Sequence, residues 1–385
     1  MKIAVVCDIL GEENNGATHA AMNFIRSLQS KGHDVNVICA DQDKKGKPNY
    51  YVCPNKNIWP FNRYIKKVGV SFPKADLEII KEGIKDADIV HIHLPFSMGN
   101  KAIKIAKKYN IPTTASFHMQ AENLTSHLNL QKFGIANKLV YKFIWKHTYS
   151  HVDAIHYPTS FVRNIFEANI KHKTNGYVIS NGVNEMCAKP KKVEKPEKYK
   201  EKFVILSTGR YAAEKAQDVL IKAVALSKYK DKIQLILAGQ GPKRKEYERL
   251  AKKVGVNPQL GILSRKDIVD AINYCDLYVH PARFELEGIA CLEAICCGKP
   301  TIVSNSKKAA TSGFAVDEKC IFKNNNPKDL ASKIDYYIEH EDERIALGQK
   351  YLESATRFDQ RACMDEMEQM LFETVENHKK KTDKN

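Results

Sequence analysis

The chain has 385 residues, 43% hydrophobic and 28% charged, with 61 Lys and Arg against 45 Asp and Glu for a net charge of +16. That length accommodates two ordinary domains. No apolar run approaches the roughly 18 residues of a membrane-spanning helix, and the opening strand-like run turns polar too soon for a signal peptide. Ten cysteines without metal-like spacing fit small apolar residues in a reducing compartment rather than a disulfide frame, so a cytoplasmic protein is expected.

In chain order, the first half alternates strand and helix signals. Residues 2–7 form an apolar strand, a loop over 11–18 carries Asn14-Asn15-Gly16, and a helix over 19–31 stops at Gly32. Further strands are predicted at 35–39, 89–93, 113–118, 154–157 and 176–179. Such alternation implies parallel pairing through right-handed crossovers. Residues 184–202, rich in Lys, Pro and Glu and without periodicity, read as a linker. The alternation then restarts with strand 203–207, helix 216–227, strand 233–238, helix 243–254, strand 277–280, helix 288–297 ended by Gly298, and strand 301–303. Helices over 329–378 precede a Lys-rich tail. The expected class is α/β, with doubly wound Rossmann-like domains over 1–183 and 203–355, the linker 184–202 between them, and a helix and tail over 356–385. Two such sheets predict a facing cleft, and open parallel sheets bind ligands beyond the carboxyl ends of their strands.

The positive charge is regional. Residues 44–75 hold eight basic residues and no acid, and residues 123–152 hold four lysines and no acid. A patch of this kind seeks an anionic surface. Within it, Trp59 and Phe61 are interleaved with Arg63, Lys66 and Lys67, and Lys138, Lys142 and Lys146 recur every four residues along an amphipathic stretch with Tyr141 and Trp145 as interfacial candidates. Basic residues beside aromatics suit a helix lying on a membrane surface.

The chemistry-bearing residues fall at predicted strand ends. Glu285 and Glu293 flank the start of a helix at Gly288. Helix amides can donate to a phosphate, and carboxylates accept from hydroxyls, so the pair suits a sugar, a diphosphate and a ribose in a row. Arg210 and Lys215 lie between a strand and the next helix, positioned for a diphosphate. Gly239 and Gly241 follow an apolar strand and permit close backbone approach; the full Gly-x-Gly-x-x-Gly fingerprint of a dehydrogenase is missing. Gly16 opens a helix whose amides could face an anion. His118 ends a strand, with Gln120 and Glu122 beyond it. His91 and His93 lack a third ligand, and Asp86-Ala87-Asp88 precedes a buried strand, so no metal is implied.

These residues together resemble the retaining, metal-independent glycosyltransferases of family 4, which have the GT-B fold. The likeness runs through the Gly16 loop, His118, Ile179-Ser180-Asn181-Gly182-Val183, Arg210, Lys215, Gly239–Pro242, and Glu285 with Glu293. It implies that Glu285 holds the donor sugar's hydroxyls, Glu293 the ribose, and Arg210 and Lys215 the diphosphate. The amides of Ile289 and Ala290 would assist, and His118 would lie beside the sugar. It also implies a C-terminal helix crossing back to the N-terminal domain. Two departures stand out: Glu287 replaces the usual aromatic, and Ala216 the usual glycine. The phrases Glu-Leu-Glu-Gly and Ser116-Phe117-His118-Met119-Gln120 look like bacterial glucosyltransferases acting on diacylglycerol or sterols.

The expected function is therefore transfer of glucose from UDP-glucose, with retention and no cofactor, to a lipid hydroxyl such as that of diacylglycerol. The enzyme would sit peripherally on the anionic inner face of the cell membrane. A soluble or polyprenyl-linked glycan acceptor is the alternative within the family. A nucleic-acid-binding protein is the alternative outside it, but no such module is visible and no nucleic-acid partner is expected.

Overall fold

The structure, a computed structural model, describes residues 1–8, 10, 16–56, 73–122 and 134–383. The chain divides into two compact units: residues 1–180 with 364–385, and residues 181–363.

The first unit is built on a seven-stranded sheet. Its strands are β1 (Lys2–Val6), β2 (Asp34–Cys39), β3 (Tyr50–Val52), β4 (Ile89–Ile92), β5 (Thr113–Ser116), β6 (Ala154–Tyr157) and β7 (Gly176–Val178), in the order β3-β2-β1-β4-β5-β6-β7. Every pair is parallel; Ile3, for example, registers with Val35 on one side and Ile89 on the other. The apolar run of β1 is buried from Ile3 to Val6, as a strand covered on both faces requires. Helices α1 (Gly16–Ser30), α2 (Leu77–Ile84), α3 (Ser97–Lys108), α4 (Gly134–His147) and α5 (Ser160–Ile170) connect the strands. Their ends are written locally. The Asp76 carboxylate accepts the Glu78 and Ile79 amides at the head of α2, and Lys171, in the left-handed region at φ 59°, stops α5.

The second unit has a six-stranded parallel sheet of β8 (Phe203–Thr208), β9 (Ile233–Ala238), β10 (Gln259–Gly261), β11 (Leu277–His280), β12 (Thr301–Ser304) and β13 (Ile321–Phe322), ordered β10-β9-β8-β11-β12-β13. Its helices are α6 (Gln217–Leu226), α7 (Arg244–Val254), α8 (Arg265–Tyr274), α9 (Ile289–Cys296), α10 (Pro327–Glu339) and α11 (Glu341–Ser354). Strand order reverses between β1 and β4 in one sheet and between β8 and β11 in the other. Such reversals open a crevice at the strand carboxyl ends and mark where ligands sit in this architecture.

The last helix, α12 (Gln360–Thr382), returns to the first unit. Lys31 Nζ lies 2.5 Å from Asp365 and 2.7 Å from Glu368, His33 Nε2 lies 2.5 Å from Glu368, and Tyr177 Oη donates to Glu373 at 2.8 Å. Met364, Met367, Met370 and Leu371 supply its buried stripe.

Differences from the sequence reading have physical causes. Strands β3, β10 and β13 are two or three residues long, too short for a period to show. The segment 184–202 is strapped to the second unit rather than loose. Cys187 and Tyr199 are buried in its core, the Lys191 amide donates to Asn273 at 2.6 Å, and Lys195 Nζ donates to Asp276 at 2.7 Å. The chain passes between units at Ser180/Asn181 and again at Cys363/Met364, upstream of that segment and within α12.

Candidate active site

The reversal point of the second sheet gathers the charged residues. Lys215, in a short 3-10 turn after β8, donates to Glu285 Oε2, and His280 at the end of β11 donates its Nε2 proton to the same oxygen at 3.1 Å. Burial pushes the Glu285 carboxyl up, but the Lys215 charge and the bonds from His280 and Lys215 outweigh it and hold the group at about 2. Backbone pairing fixes the loop: the Glu285 amide donates to Lys308 O at 3.2 Å, and the Ala310 amide donates to Glu285 O at 2.9 Å. Gly288 then adopts φ +88°, and a Cβ there would lie 2.5 Å from Thr311 Cγ2, so only glycine fits at the head of α9. The amides of Ile289 and Ala290 begin that helix and have no acceptor within it, which leaves them for an anion.

The other expected donor residues have different partners. Arg210 is exposed and donates to Glu214 at 2.6 Å. Glu293 is buried inside α9 and receives the Arg265 guanidinium at 2.6 Å. Gly239 and Gly241 serve packing: a Cβ at Gly239 would lie 2.0 Å from Gly209 O, and one at Gly241 2.5 Å from Tyr211 O. Both glycines thus lie close against the loop after β8. His280 and Arg265 were not singled out from sequence. His280 had a signal, as a strand-end residue five positions before Glu285; Arg265 had none.

In the first unit, His118 follows β5 and belongs to a histidine cluster. Its ring centroid is 4.2 Å from that of His93 and 5.7 Å from that of His156. Burial, reinforced by the neighbouring histidines, holds His118 and His91 well below the usual imidazole range; burial also lowers His156 to about 4. The rings are therefore neutral, and one proton arrangement satisfies them. His156 Nε2 donates to Ile179 O at 2.8 Å, so its Nδ1 accepts from Ser116 Oγ at 2.9 Å; Ser116 in turn accepts from His91 Nε2 at 2.9 Å, and His91 Nδ1 accepts from Thr114 at 2.9 Å. Both ring nitrogens of His91 are thus taken up, by Thr114 and Ser116. Asp86 and Asp88 bind Lys2: its amide donates to Asp88 at 2.7 Å and its Nζ lies 3.7 Å from Asp86. Among the described residues no group of three or more His, Cys, Asp or Glu is placed to hold a metal ion. At the first sheet's reversal, buried Asp8 accepts the Met98 amide at the start of α3, and burial raises its carboxyl to about 6.

The amphipathic stretch forms α4. Lys138, Lys142 and Lys146 are exposed along it. Beside them Ile135, Leu139 and Phe143 are 79%, 62% and 61% exposed. Two of the expected interfacial residues turn inward. Tyr141 is buried and donates to Glu122 at 3.0 Å, while Trp145 is half-buried and stacks on His172 at 5.6 Å. Trp59, Phe61, Arg63, Lys66, Lys67, Asn14 and Asn15 lie outside the described residues. Gly16 is the first residue of α1. No helix among the described residues is long and apolar enough to cross a membrane.

Two family models match in succession: "Glycosyltransferase Family 4" over residues 14–185 and "Glycosyl transferases group 1" over residues 188–353. An alpha-monoglucosyldiacylglycerol synthase from Streptococcus pneumoniae is 24% identical over 78% of this chain and 70% of its own length. One of the same name from Acholeplasma laidlawii is 24% identical over 79% of this chain and 80% of its own. HepE from Anabaena, solved with UDP and glucose, superposes with a TM-score of 0.73 at 16% identity, covering 97% of this chain and all of that one. The paired parallel sheets and returning C-terminal helix are thus the GT-B fold, and the chain belongs to the group 1, family 4 glycosyltransferases, a retaining family.

Proposed function

We propose that the protein transfers glucose from UDP-glucose, with retention, to the hydroxyl of a membrane lipid, diacylglycerol, at the inner face of the cell membrane. The observation that carries the lipid acceptor is α4, which exposes Ile135, Leu139 and Phe143 next to Lys138, Lys142 and Lys146. Large apolar side chains at four-residue spacing form one stripe of a helix, and water is a poor neighbour for it. With a lysine row alongside, the stripe suits the acyl–headgroup boundary of an anionic bilayer. Two relatives named as diacylglycerol glucosyltransferring synthases support the same acceptor.

In this reading the second unit holds the donor. Glu285, ionised, accepts from sugar hydroxyls; Lys215, already beside it, and Arg210 meet the diphosphate; the Ile289 and Ala290 amides face the same anion; Glu293 accepts from the ribose. As the anomeric carbon–phosphate oxygen bond breaks, charge grows on the diphosphate, and cations and helix amides fixed around it stabilise that charge. The lipid hydroxyl oxygen bonds to the anomeric carbon, and its proton passes to the departing phosphate oxygen. Neutral His118 is suited to a hydrogen bond with the sugar. No metal or cofactor is invoked.

The test is vesicle flotation joined to a donor screen. Lys142→Glu with Lys146→Glu should weaken binding to anionic vesicles at least about 30-fold, at roughly 1 kcal/mol per lysine removed, while UDP affinity stays unchanged. Binding that is equal on neutral and anionic vesicles, or insensitive to salt, overturns the membrane reading. Efficient transfer to a water-soluble acceptor without vesicles, and none to diacylglycerol, overturns the lipid acceptor.

A further inference from the structure

Glu287, the carboxylate that stands where the family resemblance implies an aromatic, is 3% exposed. Its Oε1 accepts the backbone amide of Asn181 at 3.0 Å, and its Oε2 accepts Asn181 Nδ2 at 2.5 Å. Asn181 is the first residue of the second unit, directly after the chain leaves the first at Ser180. The return path is packed beside it. Val183 pairs in parallel with Asp359, and its amide donates to Phe358 O at 2.8 Å. Gly182 has φ +76°, and a Cβ on it would meet Gln360 Cα at 2.5 Å. The outgoing crossing is thereby joined to the segment that leads, four residues on, to the return crossing at Cys363/Met364.

The loop carrying Glu287 has little slack. Two residues upstream, Glu285 is pinned by backbone bonds to Lys308 and Ala310. One residue downstream, Gly288 is wedged against Thr311. A displacement at either end therefore passes to Glu287, and from there to Asn181 through two charge-assisted hydrogen bonds. An aromatic at this position packs but cannot accept from both Asn181 groups.

We propose that Glu287 is a positioning residue that couples the donor loop to the chain crossing, so that a nucleoside diphosphate held at Glu285 and the head of α9 tightens residues 181–183. The coupling rests on the donor site proposed above. Hydrogen exchange on the full chain, with and without UDP, separates the two. In the unsubstituted protein UDP should slow exchange at both 285–290 and 181–183. In Glu287→Gln, protection at 285–290 should remain, protection at 181–183 should be lost, and kcat should fall about tenfold with UDP affinity changed less than about threefold. Adding Asn181→Asp reverses donor and acceptor between the two side chains while the Asn181-position amide still finds an oxygen, and should restore both protection and kcat. UDP-dependent protection at 181–183 that survives in Glu287→Gln overturns the coupling. So does a double variant that recovers melting temperature but not kcat, or a single variant whose only change is a lower melting temperature. No UDP protection at either segment in the unsubstituted protein overturns the donor site, and the coupling with it.

Discussion

The two sheets share a strand order over six strands and place contrasting chemistry at their strand ends. Beyond the ends of its strands, the second unit holds full charges in pairs: Lys215 with Glu285, Arg210 with Glu214, and Arg265 with Glu293. Around the end of β5, the first unit holds neutral imidazoles, with His91 and His118 kept well below their ordinary range. Strand order thus decides where a crevice opens, while the residues at the strand ends decide what it recognises. The charged unit suits an anionic nucleotide. The imidazole cluster suits uncharged hydroxyls, and the same unit carries the apolar, lysine-edged face of α4.

Three substitutions press on this contrast. The largest effect is expected from Glu285→Ala, which removes the proposed sugar acceptor and leaves Lys215 without its carboxylate. The kcat/KM for the nucleotide sugar should fall by about 10²–10³-fold, the scale seen when one preorganised polar group is taken from such a site. A loss of less than about threefold would remove Glu285 from the donor site. Far-ultraviolet circular dichroism should stay unchanged.

Asp8→Asn tests the first unit. The Asp8 carboxyl is raised from 3.8 to about 6 by burial. A raised acid favours the fold fully below pH 3.8, and that favour is lost as pH rises through about 6, where the buried group must ionise. The substitution should therefore stabilise the protein at pH 8 but not at pH 4, by no more than about 3 kcal/mol. Denaturant titrations at the two pH values measure the difference. A gap that is the same at both would mean that Asp8 is ionised without cost.

The smallest effect belongs to Ala216→Gly. Ala216 sits at φ 54°, in the left-handed region, and is fully buried. Relief of backbone strain, about 1–2 kcal/mol, is offset by roughly 0.4–1 kcal/mol of unfolded-chain entropy and about 0.8 kcal/mol for the lost methyl. Stability should stay within about 1 kcal/mol of the starting value. A gain well beyond that would show that the turn carrying Lys215 is held under strain.

Much of this was legible in the chain, because long strands such as β1 and β8 are continuous apolar runs and helix ends are marked by Gly32 and Gly298. The left-handed φ of Ala216 accounts for the glycine that the family resemblance implies there. Other features are non-local. The partner of Glu287 lies 106 residues upstream, and Lys31 meets Glu368 across 337 positions; no periodicity encodes either. The lysine row of α4 was readable at four-residue spacing, but which apolar side chains face outward depends on packing of Tyr141 and Trp145 against Glu122, Phe166 and His172.

The return of α12 has a consequence for how the protein is made. The first unit consists of residues 1–180 and 364–385, with the second unit nested between them. A ribosome releases all of the inner unit before it has supplied the helix that covers Lys31, His33 and Tyr177. Domains tend to fold as units during synthesis, so the nested unit can finish first. The seven-stranded sheet waits with its α12 face open until the final turns emerge, and any chaperone that engages the nascent chain has that face to shield.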